Sequence, residues 1–318
     1  MNPFVRRFQV GFVAIWLTMP AIVFAWSAEG HRAVGEIARG RLNAKARTAV
    51  TALLGNDDLA AIAVWADDLR AAAMHRGPLA NDAEAHEFNQ KFPKNGTWHF
   101  VNLPLASPAY TDDGAFSSQD DVVHAINRCI AVLEGKSDEF APGQALRLLV
   151  HFVGDLHQPL HTSTGYFDLS DPASPKLVTD PRLVDPKSGD RGGNSLYFTK
   201  SEELHALWDN GLVRKVGGID YQNVAAEAAK RIKSSAWKTS GDYHAWAEQW
   251  ATDSVHVARL AYQGIEFGPA TLNAKHDLER EEIKLPRDYQ QVNEPRAADQ
   301  LAKAGFHLGE LLNSIRWK

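Results

Sequence analysis

The segment HFVGDLHQPLH, residues 151–161, constrains this chain more than any other, because it crowds three imidazoles and a carboxylate into little more than three helical turns. His151 and Asp155 stand four residues apart, so on an α-helix both side chains leave the same face and can converge on one cation. The spacing recurs in LHALWDNG, where His205 and Asp209 repeat it. Two such pairs supply the imidazole and carboxylate donors that zinc accepts. A single pair one turn apart is ordinarily a salt-bridged or hydrogen-bonded helix surface. The coincidence of two pairs with a third imidazole at His161, just after Pro159, points instead to metal.

Around that segment the apolar residues keep helical spacing. His31, Val34, Ile37, Ala38 and Leu42 form one stripe, and a second segment from Ala44 to Leu54 stops at Gly55. The same periodicity predicts helices over about 59–74, 120–133, 143–156, 201–211, 221–232, 242–262 and 288–315. Strand signals are confined to 98–103 and 195–199, which together read as a small hairpin or ribbon. The fold class that follows is mainly α: one multi-helix domain over residues 26–318 with a small β-hairpin, and no internal repeat of about 20–50 residues. One stretch breaks the pattern. Residues 162–193, with Pro172, Pro175, Pro181 and Pro186 among Asp, Ser and Gly, predict a long loop. Loops of that length inside a domain are usually functional or mobile, and this one leaves from His161, so it is expected to border the site. Its closing DRGGN, 190–194, reads as a tight turn into the short strand.

The first 25 residues stand apart from this fold. Arg6 and Arg7 precede an apolar run over 10–19, then Pro20 and Val23-Phe24-Ala25, whose small residues place a signal-peptidase cut before Trp26. The run is shorter than the ~20 residues a spanning helix needs. An exported protein, secreted or periplasmic, is therefore expected. Cys129 is the only cysteine, which excludes an intramolecular disulfide even in a compartment that permits one. Stability must come from packing, metal or both. Losing residues 1–25 removes Arg6 and Arg7 and no acid, so the formal charge moves from -5 to -7. Such a chain does not track phosphates with a basic surface. If it handles nucleic acid, bound divalent metal must attract the phosphates.

Other candidates carry ordinary readings beside the functional ones. Asp67 in VWADDLR is either a metal-directed carboxylate or a solvated helix acid, and Asp68 beside it reads as solvated. His99 in TWHFVNLP lies in an apolar segment where a hydrogen-bonded core histidine is the usual occupant, and Trp26 reads equally as a core aromatic. His157, two residues after Asp155, falls on the other side of the helix and is expected to support or pack rather than ligate. The remaining histidines show no partner pattern.

Taken in order, WSAEGH with Trp26 and His31, WADDLR, WHF, HFVGDLHQPLH, DRGGN and LHALWDN make the chain resemble the secreted zinc-dependent single-strand nucleases. These are the S-one/P-one type of fungi, plants and bacteria. The resemblance runs from Trp26 through the final helix and rests on the order and spacing of all six motifs. It implies an α-helical domain of the zinc phospholipase C/single-strand nuclease type holding three Zn2+ ions. Asp67, His99, His151 and Asp155 would hold the first. His161, His205 and Asp209 would hold the second, leaving room for water. The α-amino and carbonyl groups of Trp26, with His31 and a bridging Asp155, would hold the third, so that cleavage before Trp26 frees an amine that completes the site. Three Zn2+ set six positive charges against the three carboxylates of Asp67, Asp155 and Asp209, which gives an acidic protein a local attraction for phosphodiesters.

By the same resemblance Arg70 and Asn210 contact the phosphoryl group as its charge develops. Phe100 stacks on a base, which favours unpaired strands. The ordinary readings are a surface arginine, a helix-end asparagine and core packing. Asn102, at the implied base-recognition position, stands where fungal relatives carry an Asp. The single cysteine, against the disulfides of eukaryotic members, marks a bacterial-type member. The implied activity is endonucleolytic hydrolysis of single-stranded DNA and RNA to 5′-phosphorylated products, with 3′-nucleotides as further substrates. A monomer is expected, without stable membrane association once the leader is removed. Two other readings stay open at this point: a zinc-dependent phospholipase C, which shares the N-terminal Trp and the ligand types, and a non-catalytic exported zinc-binding protein.

Overall fold

The computed structural model describes residues 26–318; the leader expected over 1–25 and its expected cut lie outside the described residues. Ser27 opens α1 (Ala28–Arg39) by accepting the Gly30 N–H at 3.4 Å, and the helix buries the predicted stripe of His31, Val34, Ile37 and Ala38. Asn43 caps α2 (Ala44–Leu54), accepting from Ala46 N–H at 2.9 Å, and Gly55 ends it with φ of +63°. The helix predicted over 59–74 is two, α3 (Leu59–Ile62) and α4 (Trp65–Ala72). The break frees the Ala63 carbonyl to accept from His151 Nδ1 at 2.7 Å. A helix not expected from the sequence, α5 (Ala83–Lys91), is short and largely polar, with only Ala85 and Phe88 buried.

The molecule is organised around one buried helix. After α6 (Val122–Leu133), capped by Asp121, α7 (Pro142–His157) starts on a proline and buries every residue from Leu148 to His157. Leu146, Leu148, Leu149 and Phe152 on it are at most 1% exposed, and each contributes about 1.5–3 kcal/mol by burial. That apolar packing offsets the cost of carrying His151 and Asp155 into the interior. Beyond Gln158 come α8 (Pro159–Thr162), then α9 (Leu204–Ala206), a π-helical turn over Leu207–Leu212, and α10 (Val213–Gly217). The chain continues through α11 (Tyr221–Ala229), α12 (Ser234–Trp237), α13 (Trp246–Tyr262) and α14 (Tyr289–Ser314). Helices α1, α4, α6, α13 and α14 all lie against α7. Gly305 lets α14 and α1 touch, since a Cβ there would stand 2.5 Å from Ile37 Cβ.

The mainly α class holds, but the strands pair differently from expectation. Segments 98–103 and 195–199 do not pair with each other. Instead β1 (Leu103–Pro104) pairs in parallel with β2 (Ser163–Thr164), and β3 (Phe167–Asp168) pairs antiparallel with β4 (Lys176–Leu177). Strand β5 (Leu196–Tyr197) joins the true hairpin, β6 (Glu266–Leu272) with β7 (Leu278–Lys284), by pairing in parallel with β7. The hairpin escaped the sequence because LEREEIK hides its alternation: its buried positions are Leu278, Glu281 and Ile283, one of them charged. Nor is 162–193 structureless. Short ladders, two 3-10 turns and a bridge between Tyr166 and Gly189 fold it back on the domain. Its final turn, with Arg191, Gly192 and Gly193 at φ of +58°, +64° and +83°, leads into β5 as expected and reaches α9.

Candidate metal centre

Separate elements deliver the candidate ligands to one place. His31 comes from α1, Asp67 from α4, His99 from the segment after the 3-10 turn Asn95–Thr97, His151 and Asp155 from α7, His161 from α8, His205 from α9 and Asp209 from the π turn. All are at most 5% exposed. Their donor atoms gather in three groups, each within 4.8 Å: His31, His151 and Asp155; Asp67, His99 and His151; His161, His205 and Asp209.

Backbone carbonyls aim the rings. A carbonyl only accepts, so the ring nitrogen facing it carries the proton. His151 Nδ1 donates to Ala63 O at 2.7 Å, His161 Nδ1 to His99 O at 2.8 Å, and His205 Nδ1 to Gly192 O at 2.7 Å. The Nε2 atoms of all three rings therefore face inward. His161 Nε2 and His205 Nε2 meet at 3.1 Å, with Asp209 Oδ2 3.2 Å from His205 Nε2. Lone pairs converging in this way repel unless a cation lies among them. Asp155 spans the other two groups: Oδ2 is 3.0 Å from His99 Nδ1 and 3.2 Å from His151 Nε2, while Oδ1 is 3.4 Å from His31 Nε2. His31 Nδ1 and Nε2, Asp67 Oδ1 and Asp155 Oδ1 are buried without a hydrogen-bond partner. Such atoms cost about 1–3 kcal/mol each, and their clustering fits a site built to hold cations.

Electrostatics agree. Burial pushes the Asp67 carboxyl up to about 7 and pulls His31 down to about 4 and His99 to about 3. Burial also pulls on His151, yet the Asp155 and Asp67 carboxylates outweigh it and hold the ring at about 9. Burial resists ionisation of Asp155, but His151 and His161 keep it well below the usual carboxylate range. Asp67 and His151 thus hold protons that a divalent ion would displace, while His31, His99 and Asp155 stand ready as acceptors.

Four supporting features stand behind the ligands. Trp26 is fully buried; its indole Nε1–H donates to Gly154 O at 3.0 Å, and the following Ser27 N–H donates to Asp209 O at 2.8 Å. Gly154 leaves room for the His31 ring, because a Cβ there would stand 2.8 Å from His31 Nδ1. Gln158, which the sequence reading missed, is fully buried between α7 and α8. Its Nε2 donates to Asp209 Oδ1 at 2.7 Å while its Oε1 accepts from Leu160 N–H at 2.6 Å. Its signal was its place before Pro159, where an N-cap side chain is expected. Asp190, also missed, opens the DRGGN turn and accepts from Gly165 N–H, Gly193 N–H and Tyr262 OH. It thereby fixes the carbonyl that orients His205.

Beside the centre lies a cleft of about 400 Å³ lined in part by Arg70, Phe100, Asn102, His161, Arg191 and His205. Phe100 is half-buried and stands outside the hydrophobic core. Asn102 is exposed, and its Oδ1 accepts from Thr164 Oγ1 at 2.9 Å. Asn210 does not line this cleft; its amide turns back to Ala206 O at 3.5 Å. His157 packs as expected, donating through Nδ1 to Val153 O at 2.8 Å with Nε2 2.7 Å from His307 Nδ1.

Comparison with known proteins places these features. The profile described as S1/P1 Nuclease matches residues 26–316. Similar proteins include Endonuclease 2 of Arabidopsis thaliana, 25% identical over 95% of each chain, and Nuclease S1 of Aspergillus oryzae, 24% identical over 95% of this chain and 96% of its own. Nuclease P1 of Penicillium citrinum is 25% identical over 71% of each. A phospholipase C or a non-catalytic zinc binder gives way to a nuclease on these matches. Because the match spans every element that brings a donor atom to the buried centre, the chain belongs to the S1/P1 nuclease family and is an enzyme that hydrolyses phosphodiester bonds.

Proposed function

We propose that the chain is an exported zinc-dependent endonuclease that hydrolyses single-stranded DNA and RNA to 5′-phosphorylated products and also accepts 3′-nucleotides. The observation that carries the reading is the convergence of His161 Nε2, His205 Nε2 and Asp209 Oδ2, with both rings fixed by backbone carbonyls. Zn2+ suits this mixed nitrogen and oxygen set, and when bound it lowers the pKa of water and neutralises phosphoryl charge. Asp67, His99, His151 and Asp155 would hold one ion, His161, His205 and Asp209 a second, and His31, Asp155 and the backbone of Trp26 a third. The His31 ring stacks on His151 at 3.8 Å, which puts His151 in reach of that third group as well.

The chain's own residues supply the rest. Ala63, His99 and Gly192 carbonyls hold each imidazole in one tautomer, and Gln158 keeps Asp209 turned inward. Arg70 offers a guanidinium to phosphoryl oxygens as charge develops, whereas Asn210, on the turn that carries Asp209, must swing its amide away from Ala206 O to join it. Phe100 offers its ring to a base, with Asn102 beside it at the cleft. A base in a duplex is already stacked and paired, so only an unpaired strand presents the face that Phe100 needs. Removal of the leader before Trp26 would free the amine, which ties completion of the centre to export.

Purified mature protein, with and without chelator, should be offered single-stranded DNA, duplex DNA, RNA, 3′-AMP and phosphatidylcholine. Chelator-sensitive cleavage of single strands in preference to duplex, leaving 5′-phosphates, is expected. A zinc-loaded protein that cleaves no nucleic acid would overturn the reading.

A further inference from the structure

The DRGGN turn holds an arginine where the backbone favours glycine. Arg191 has φ of +58°, in the left-handed region, and the two residues after it with the same sign are both glycine. A large side chain at such a position is strained relative to glycine, and strain of this kind gathers at ligand clamps and active sites. The side chain is also held in place: Arg191 Nε and Nη2 donate to Ser195 Oγ at 3.3 and 3.0 Å, and Ser195 is fully buried. The residue is exposed, and it lines the cleft that Arg70, His161 and His205 line. Ser195 is neutral, so these bonds position the guanidinium without cancelling its charge. Asp190, next in sequence, is engaged by Gly165, Gly193 and Tyr262. Among the described residues no carboxylate forms an ion pair with Arg191, Glu203 at the same cleft included.

We propose that Arg191 is a second phosphate clamp, which binds a backbone phosphate neighbouring the one to be cleaved. The proposal rests on the nuclease reading above and names the substrate the clamp favours: a strand with at least two consecutive phosphates over a lone 3′-nucleotide. With Nε and one Nη2 proton committed to Ser195, the guanidinium keeps Nη1 and the second Nη2 proton for phosphate oxygens. In a chain of net charge -5, a fixed and uncompensated cation of this kind decides where a polyanion lies.

The test uses Arg191→Gly and Arg191→Lys, with Arg182→Gln as a control that removes an exposed charge paired to Asp180. Glycine suits the left-handed backbone, so Arg191→Gly should melt close to the unaltered protein and keep its zinc. Two readouts follow: kcat/KM of the zinc-loaded protein on (dT)10 across salt, and anisotropy of labelled (dT)10 with chelator-treated protein. Arg191→Gly should lower both strand affinity and kcat/KM about tenfold at low salt and flatten the logarithmic salt slope by about 0.7. Arg191→Lys should restore part of the loss, and Arg182→Gln should match the unaltered protein. Unchanged affinity in Arg191→Gly, or a loss without a change of slope, overturns the clamp. If the unaltered protein neither cleaves nor binds a strand, the nuclease reading itself fails instead.

Discussion

Replacing Gly154 with Ala adds one carbon to the buried face of α7, and what it meets is known: His31 Nδ1 at 2.8 Å and His31 Cε1 at 3.1 Å. Ordinary contact begins near 3.4 Å, so the ring must withdraw by about 0.6 Å or α1 must move off α7. Ligand distances in metal sites hold to within ~0.2 Å, so a shift of that size takes His31 out of range of an ion shared with Asp155. Stability responds in two opposed ways. Alanine gains about 1 kcal/mol of helix propensity over glycine, while an extra carbon in a close-packed interior costs about 1–3 kcal/mol. The variant should therefore fold, with a net change of roughly 2 kcal/mol or less. Zinc per chain, measured by mass spectrometry of the metal after dialysis against a weak chelator, should fall from three towards two. Retention of all three ions, with an unchanged rate of release, would refute the account of why residue 154 is glycine.

Further expectations concern other parts of the centre and its scaffold. Gln158→Leu leaves Asp209 Oδ1 and the Leu160 N–H without their partner, and zinc at the His161, His205 and Asp209 group should weaken about 10–100-fold in chelator competition; an unchanged affinity would reduce Gln158 to packing. One extra residue retained before Trp26 should cost one zinc per chain, and unchanged zinc content would remove the Trp26 amine from the ligand set. For Glu134, burial resists ionisation, but bonds from Lys136, Tyr243 and His244 hold the carboxyl at about 2 against an ordinary 4.5. A depressed carboxyl stabilises the fold above pH 4.5 and loses that effect as pH falls through about 2. Glu134→Gln should accordingly cost about 1–2 kcal/mol at pH 7, after allowance for solvent screening at this rim, with the difference closing near pH 2; chemical denaturation across pH measures it, and a gap that widens in acid contradicts the assignment.

The fold was legible where apolar residues keep a helical period and opaque where tertiary contacts decide. The stripe of α1 and the apolar run of α7 read directly, whereas the break between α3 and α4 did not, because nothing local marks Ala63 as the residue whose carbonyl His151 needs. Pairing of β5 with β7 joins residues more than eighty apart and leaves no local trace. In the centre, the HxxxD pairs announced themselves by spacing. Asp67, His99 and His31 are scattered through the chain, and on periodicity alone each reads as a solvated acid or a core imidazole; the ordered set of motifs was needed to group them. The roles of Gln158 and of Asp190, the latter read only as the start of a turn, were not visible because they act on other polar groups, Asp209 and the Gly192 turn, and no spacing rule encodes such support.

Anomalous scattering at the zinc edge from crystals of the mature protein tests the central claim most directly. Three peaks are predicted, one in each donor group, with one of them bonded to His161 Nε2, His205 Nε2 and Asp209 Oδ2. An active crystal with no metal among those three atoms, their close approach bridged by protons alone, would contradict the account.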